Sequence, residues 1–135
     1  MKRREAREQA FILIFERSIN HDTTEQIIDT AEMSNDIRID EFAEKLALGV
    51  EENEEILNGQ IDGNIRGWKM NRLSKVSLSL LKMAIYEMMF MKDIPVSVSI
   101  NEAIDLAKKY GGSDDAPFVN GVLGSVAKTL GDENA

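Results

Sequence analysis

The opening segment Lys2-Arg3-Arg4-Glu5-Ala6-Arg7 places four cations within six residues, a pattern suited to holding phosphate. In a helix that starts near Lys2, Arg3 and Arg7 are spaced i,i+4 and Arg4 and Arg7 i,i+3, which groups the three guanidinium groups on one side. Cations there oppose the positive end of the helix macrodipole. A bound anion would offset that cost, and the unpaired N–H groups of the same first turn point toward one. A solvated basic end fits the hexapeptide equally well.

A second basic segment runs from Arg66 to Lys82, where Arg66, Lys69, Arg72, Lys75 and Lys82 occur with no acid among them. Between Asp22 and Asp62 the balance is reversed, with only Arg38 and Lys45 on the basic side. The whole chain of 135 residues carries a formal charge of -8 at pH 7. That excess argues against polyanion binding by the entire surface, while two local basic segments suit a confined nucleic-acid contact.

Little supports catalysis. His21, the single histidine, lies between Asn20 and Asp22 in a polar linker, a capping or solvated position. Glu51, Glu52, Glu54 and Glu55 splay around a helix instead of converging on a metal, and so predict a solvated acidic face. Met83, Met88, Met89 and Met91 suit core packing better than a binding surface. No nucleophile motif or phosphate-cradling glycine loop occurs, and the absence of cysteine removes disulfides and thiolate zinc sites. The sequence therefore predicts no enzyme, no metal and no cofactor. The apolar run from Ala10 to Phe15 is far too short to cross a bilayer. With no signal-peptide pattern either, a cytoplasmic protein without a membrane partner is expected.

The elements that position these residues read as helices throughout, predicting an all-α, compact single-domain bundle of six to seven helices over 1–131 with a polar tail at 132–135. The first runs from about Arg3 to Ser18, and its Ala10–Phe15 segment is apolar all the way round, which requires burial on several sides or a partner. A second spans about Thr24 to Met33. A third, from Asp40 to Asn58, is closed by Gly59. Ile61 to Trp68 reads as a short helix weakened by Gly63 and Gly67. The strongest periodicity, Val76, Leu80, Leu81, Ala84, Ile85, Met88 and Met89, predicts a helix from Ser74 to Met91 that ends before Pro95. Ser99-Ile-Asn-Glu102 has the form of a capping box opening the next helix, which stops at Gly111-Gly112. A last helix starts around Asp114 to Pro117 and buries Val119, Val122, Leu123, Val126 and Leu130.

Several blocks in the second half are specific in their order. Trp68 and Asn71-Arg72-Leu73 precede Leu81-Lys-Met-Ala-Ile-Tyr-Glu87 and Ile94-Pro95; then come Ile100-Asn-Glu-Ala-Ile-Asp-Leu-Ala-Lys-Lys-Tyr110 and Phe118-Val-Asn-Gly-Val-Leu123. With the Arg3-Arg4-Glu5-Ala6-Arg7-Glu8 opening, this order resembles the NusB family of bacterial transcription antitermination factors over essentially the whole chain.

The resemblance implies an all-helical protein that binds the single-stranded boxA element of nascent transcripts together with NusE, a small-subunit ribosomal protein. The pair joins an RNA polymerase antitermination complex and supports ribosomal RNA synthesis; homodimers also occur in the family. Lys2, Arg3, Arg4 and Arg7 then become phosphate contacts, and Lys108, Tyr110, Phe118 and Asn120 belong to the RNA site. Single-stranded RNA is held by cations on its backbone and planar side chains on its bases, which these types supply. Tyr110 can equally cap a helix end, Phe118 can sit half-buried, and Asn120 can serve helix packing. Lys69, Arg72 and Lys75 form a basic face that extends the RNA path or is simply solvated.

Phe11, Phe15, Tyr86, Glu87 and Phe90 are the candidates for NusE contact, provided they project from the first and fifth helices instead of filling the core. Two departures stand out. Glu5 interrupts what is often a continuous arginine run, and Ser77-Leu78 replaces charged residues of some relatives. The competing reading is a protein-interaction or homodimeric helical module with weak or lost RNA binding. A fusion to an RNA cytosine methyltransferase is not expected, since no cofactor-binding α/β segment follows Ala135.

Overall fold

The computed structural model describes residues 1–131, which form seven α-helices and a 3-10 turn with no strand among them; the tail at 132–135 lies outside the described residues. In chain order the helices are α1 (Arg3–Asn20), α2 (Thr24–Asn35), α3 (Glu41–Glu52), α4 (Glu54–Asp62), α5 (Lys75–Phe90), α6 (Val96–Tyr110) and α7 (Asp115–Thr129), with the 3-10 turn at Met70–Arg72 before α5. The sequence pattern that was strongest becomes the centre of the molecule. α5 buries Leu80, Leu81, Met83, Ala84 and Ile85 completely, and α1, α3, α4, α6 and α7 all pack against it. No helix is long and apolar enough to cross a membrane among the described residues.

Local chemistry accounts for the ends. Thr23 caps α2 with a true capping box, its hydroxyl accepting from the Gln26 N–H while the Gln26 side chain accepts from the Thr23 N–H. Ser74 caps α5 through the Ser77 N–H. His21 closes α1 in the left-handed conformation at φ 62°, exposed to solvent.

Three predicted boundaries are corrected. The helix expected from Asp40 to Asn58 breaks at Asn53 (φ -115°, ψ 21°), whose side-chain amide donates back to the Gly49 carbonyl at 2.9 Å. Asn competes with the helix for backbone partners in this way, and α4 then continues past Gly59 to Asp62. The predicted helix from Ile61 to Trp68 is instead the end of α4, which stops at Asp62 with Gly63 as its cap residue, followed by a loop in which Gly67 adopts φ 76°, a conformation other residues avoid. α6 begins at Val96, a turn before Ser99, with Pro95 as its cap residue. Ser99 is not a cap at all: it is buried and donates its hydroxyl to the Glu87 carboxylate at 2.9 Å.

The acidic face is likewise less solvated than expected. Glu51 accepts the Thr24 N–H at 3.0 Å, and Glu54 pairs with Arg17 and Lys82, tying α4 to α1 and α5.

α3 meets α5 at Gly49, where an added Cβ would lie 2.2 Å from Cζ of Tyr86. Only a glycine lets the Tyr86 ring, stacked on Phe90 at 5.0 Å, lie on the α3 backbone. Gly49→Ala should therefore destabilise the fold by about 1–3 kcal/mol through overpacking, read as a lower denaturation midpoint with unchanged slope. Unaltered stability would show that the ring moves away without cost.

Candidate nucleic-acid interface

The three arginines at the start of α1 do not share a face as expected. Arg7 turns inward. It is 2% exposed and donates through Nε and Nη2 to the two carboxylate oxygens of Glu87 at 2.9 and 3.0 Å. Its Nη1 reaches Glu102 at 3.2 Å, while the fully buried Glu87 also accepts from Ser99. A bidentate pair with every oxygen partnered is the form in which a buried charge pair is tolerated. Arg7 is thus removed from the phosphate contacts, and Glu87 from the partner contacts. The physical reason is position: Arg7 lies on the stripe of Phe11 and Ile14, on a helix packed against α5, and α6 reaches it through Glu102.

Lys2, Arg3 and Arg4 remain exposed. The Arg3 guanidinium lies 4.0 Å over the Phe42 ring of α3, which fixes a cation while leaving its edge free. Arg4 pairs with Asp105 and, at 3.5 Å, with Glu102, both on α6.

The last turn of α6 joins this end of α1 to a second surface. Lys108, Lys109 and Tyr110 are exposed. Tyr110 leans on Phe11 at 5.1 Å between ring centres, and its hydroxyl donates to Glu8. Phe11 itself is buried and supports the tyrosine instead of contacting a partner. Beyond Gly111-Gly112 an open cavity of about 620 Å³ runs past Lys108 and Asn120. It continues into one of about 660 Å³ flanked by Arg66, Trp68, Phe118 and Lys128, with Pro117 and Asn120 lining both. Trp68 is 58% exposed and meets the half-buried Phe118 edge-on at 5.5 Å. Asn120 is exposed on the groove, with no role in close helix packing.

Trp68 carried the family likeness, yet it was not among the candidate site residues. Its flanking Arg66, Gly67 and Lys69 were the available signal, since a large aromatic in a basic, glycine-broken loop has no helix to bury it. Lys69 precedes the 3-10 turn and Arg72 ends it, both exposed. Lys75 is elsewhere, donating to the Ser18 carbonyl at 3.1 Å. At 1.5 Å per residue, that puts it roughly 20 Å along α1 from Arg4.

Asp115 holds the groove's floor in place. Its carboxylate accepts from the hydroxyls of Ser74 and Ser77, both at 2.6 Å, and from the Gly112 N–H at 2.7 Å. Burial pushes its carboxyl up, but these three hydrogen bonds outweigh that and hold it below the usual range. Ser77, the departure noted above, is therefore a buried ligand of Asp115, with no surface left for a partner.

Of the remaining partner candidates, Tyr86 lies against Gly49 in the core, Phe15 is half-buried, and Phe90 is exposed beside Tyr86. Ile19, 49% exposed and one turn beyond Phe15, extends that side of α1; its i+4 spacing was the signal.

The seven helices of the described residues, five of them packed on the buried α5, with a cation- and aromatic-lined groove along one end, define an all-helical protein with a surface suited to binding. A family model for NusB matches residues 4–128, so the chain belongs to the NusB family. It is 42% identical over 132 residues to the transcription antitermination protein NusB of Clostridium novyi (strain NT), covering 95% of this chain and 99% of that protein. The structure of T. maritima NusB superposes with a TM-score of 0.82 at 35% identity, covering 95% of this chain and 92% of that one. The NusB of a complex of antitermination factors NusB and NusE with dsRNA shares the fold, with a TM-score of 0.83 at 24% identity and coverage of 96% and 99%.

Proposed function

We propose that this protein is a non-enzymatic, cytoplasmic transcription antitermination factor, a single all-helical domain that binds single-stranded boxA-type RNA together with NusE. In that role it acts within an RNA polymerase antitermination complex and supports ribosomal RNA transcription. The observation that carries the reading is the pair of exposed Trp68 and half-buried Phe118 in a groove flanked by Arg66 and Lys128 and leading to Lys108. Unstacked bases find planar partners there and phosphates find cations. Lys2, Arg3 and Arg4 supply further phosphate contacts, with Tyr110 between the two basic ends. NusE contact is assigned to the side of α1 that carries the half-buried Phe15 and the exposed Ile19, near Lys75. The complex of a protein of this fold with NusE and dsRNA is consistent with both partners.

The test is titration of a boxA-like single-stranded RNA and a scrambled one, with and without NusE, across salt. Three or four phosphate contacts give a slope of log K against log salt of about -2 to -3. Arg3→Ala and Arg4→Ala should each flatten it by about 0.7 with helicity intact. Equal binding of both RNAs, or a slope near zero, would leave only the protein-interaction reading.

A further inference from the structure

Arg4 of the proposed RNA surface, and Lys109 between its Lys108 and Tyr110, already have anions of their own. A cavity of about 330 Å³ between α1 and α6 is lined by Lys2, Arg4 and Lys109 together with Glu8, Glu102 and Asp105. Glu8 takes the Lys109 ammonium at 2.6 Å and, on the same oxygen, the Tyr110 hydroxyl. Asp105 takes Arg4. The Lys109 ammonium and the Tyr110 hydroxyl hold the Glu8 carboxyl below the usual carboxylate range, so it is charged at neutral pH.

These pairs differ in kind from Arg7–Glu87. The Arg4 and Lys109 side chains are 67% and 61% exposed, against 3% for Arg7. An exposed pair is weak and exchanges readily with another anion. A buried one does not.

We propose that Glu8 and Asp105 are internal counter-ions that compete with RNA phosphates for Lys109, Tyr110 and Arg4, and so set the protein's affinity for RNA. The inference rests on the RNA-binding reading above. Each carboxylate stands where a phosphate oxygen would bind, so a phosphate gains only the difference between two similar ion pairs. Polyanions that bring phosphates alone are thereby held weakly, and the bases must contribute through the aromatic groove. Glu8 also engages the site's tyrosine, so its release frees a ring as well as a cation.

The test uses the full chain with the same boxA-like and scrambled RNAs. Glu8→Gln, which keeps an acceptor for Tyr110, and Asp105→Asn should each raise affinity about two- to fivefold, the range set by an exposed ion pair. The gain should be equal for both RNAs, because phosphate contacts carry no sequence information. The salt slope should steepen toward one further contact, about 0.7. Glu25→Gln, an exposed acid in the first turn of α2, removes the same net charge outside the cleft and should leave affinity unchanged. Asp105 is exposed on α6, so its variant keeps the test intact if Glu8→Gln unfolds. If the unmodified protein binds RNA and neither variant binds more tightly, or Glu25→Gln gains as much, the counter-ion role is overturned alone. If the unmodified protein binds neither RNA, the functional reading falls and this inference with it.

Discussion

Replacing Arg7 by alanine is expected to destabilise the protein by about 3–5 kcal/mol, which for a chain of this size lowers the thermal midpoint by roughly 10–20 °C. The loss has a specific source. Glu87 is fully buried, and without Arg7 it keeps only the Ser99 hydroxyl as a partner. An uncompensated charge in the core costs more than the pair contributes when intact. For that reason the double replacement Arg7→Met with Glu87→Leu should recover most of the loss. Glu87→Gln alone should be severe as well, since one of two bidentate oxygens becomes a donor facing Arg7. Thermal or denaturant unfolding compares the parent with these three variants. A single variant as stable as the parent, or a double variant worse than both singles, would contradict the account. In RNA titrations of whatever Arg7→Ala protein remains folded, the salt slope should match the parent, separating Arg7 from Arg3 and Arg4.

The second large effect is on binding. Trp68→Ala and Phe118→Ala should each weaken RNA binding by roughly five- to 150-fold, the range for losing one base-stacking ring at about 1–3 kcal/mol. The salt slope should not move, because no phosphate contact is lost. Stability separates the two. Trp68 is mostly exposed, so its removal should change unfolding by no more than about 0.5 kcal/mol, whereas Phe118 packs partly on the core and should cost more. Trp68→Phe should restore much of the affinity, since a smaller ring still stacks. Trp68→Ala binding within twofold of the parent would remove the aromatic pair from the interface.

Much of this architecture was legible in the chain. The apolar periodicity of α5 predicted its helix, and in the structure five others pack against it. What escaped was the competition between local and tertiary partners. Asn53 looked like one more polar position on a helical face, yet its amide ends α3 by bonding to Gly49. Ser99 and Glu102 had the spacing of a capping box, but a buried Glu87 and an inward-facing Arg7 claimed both side chains. Arg7 itself was readable: the spacing Arg7, Phe11, Ile14 continues a core stripe, and charge type outweighed periodicity in assigning it to solvent. The RNA candidates fared according to what held them. Arg3, Arg4, Lys108 and Tyr110 lie at the surface where expected, while Lys75 follows the far end of α1.

The Arg7 pair also imposes an order on synthesis. Its partners stand 80 and 95 residues further along the chain. At translation rates of 5–20 residues per second, the first turn of α1 waits about 5–20 s for the segment that anchors it. Until Glu87 has left the ribosome, Arg7 has no buried partner, whereas the Phe42 ring that holds Arg3 has already been made. A nascent or truncated chain that stops before Glu87 therefore carries Arg7 unpaired on a stripe that the finished fold buries.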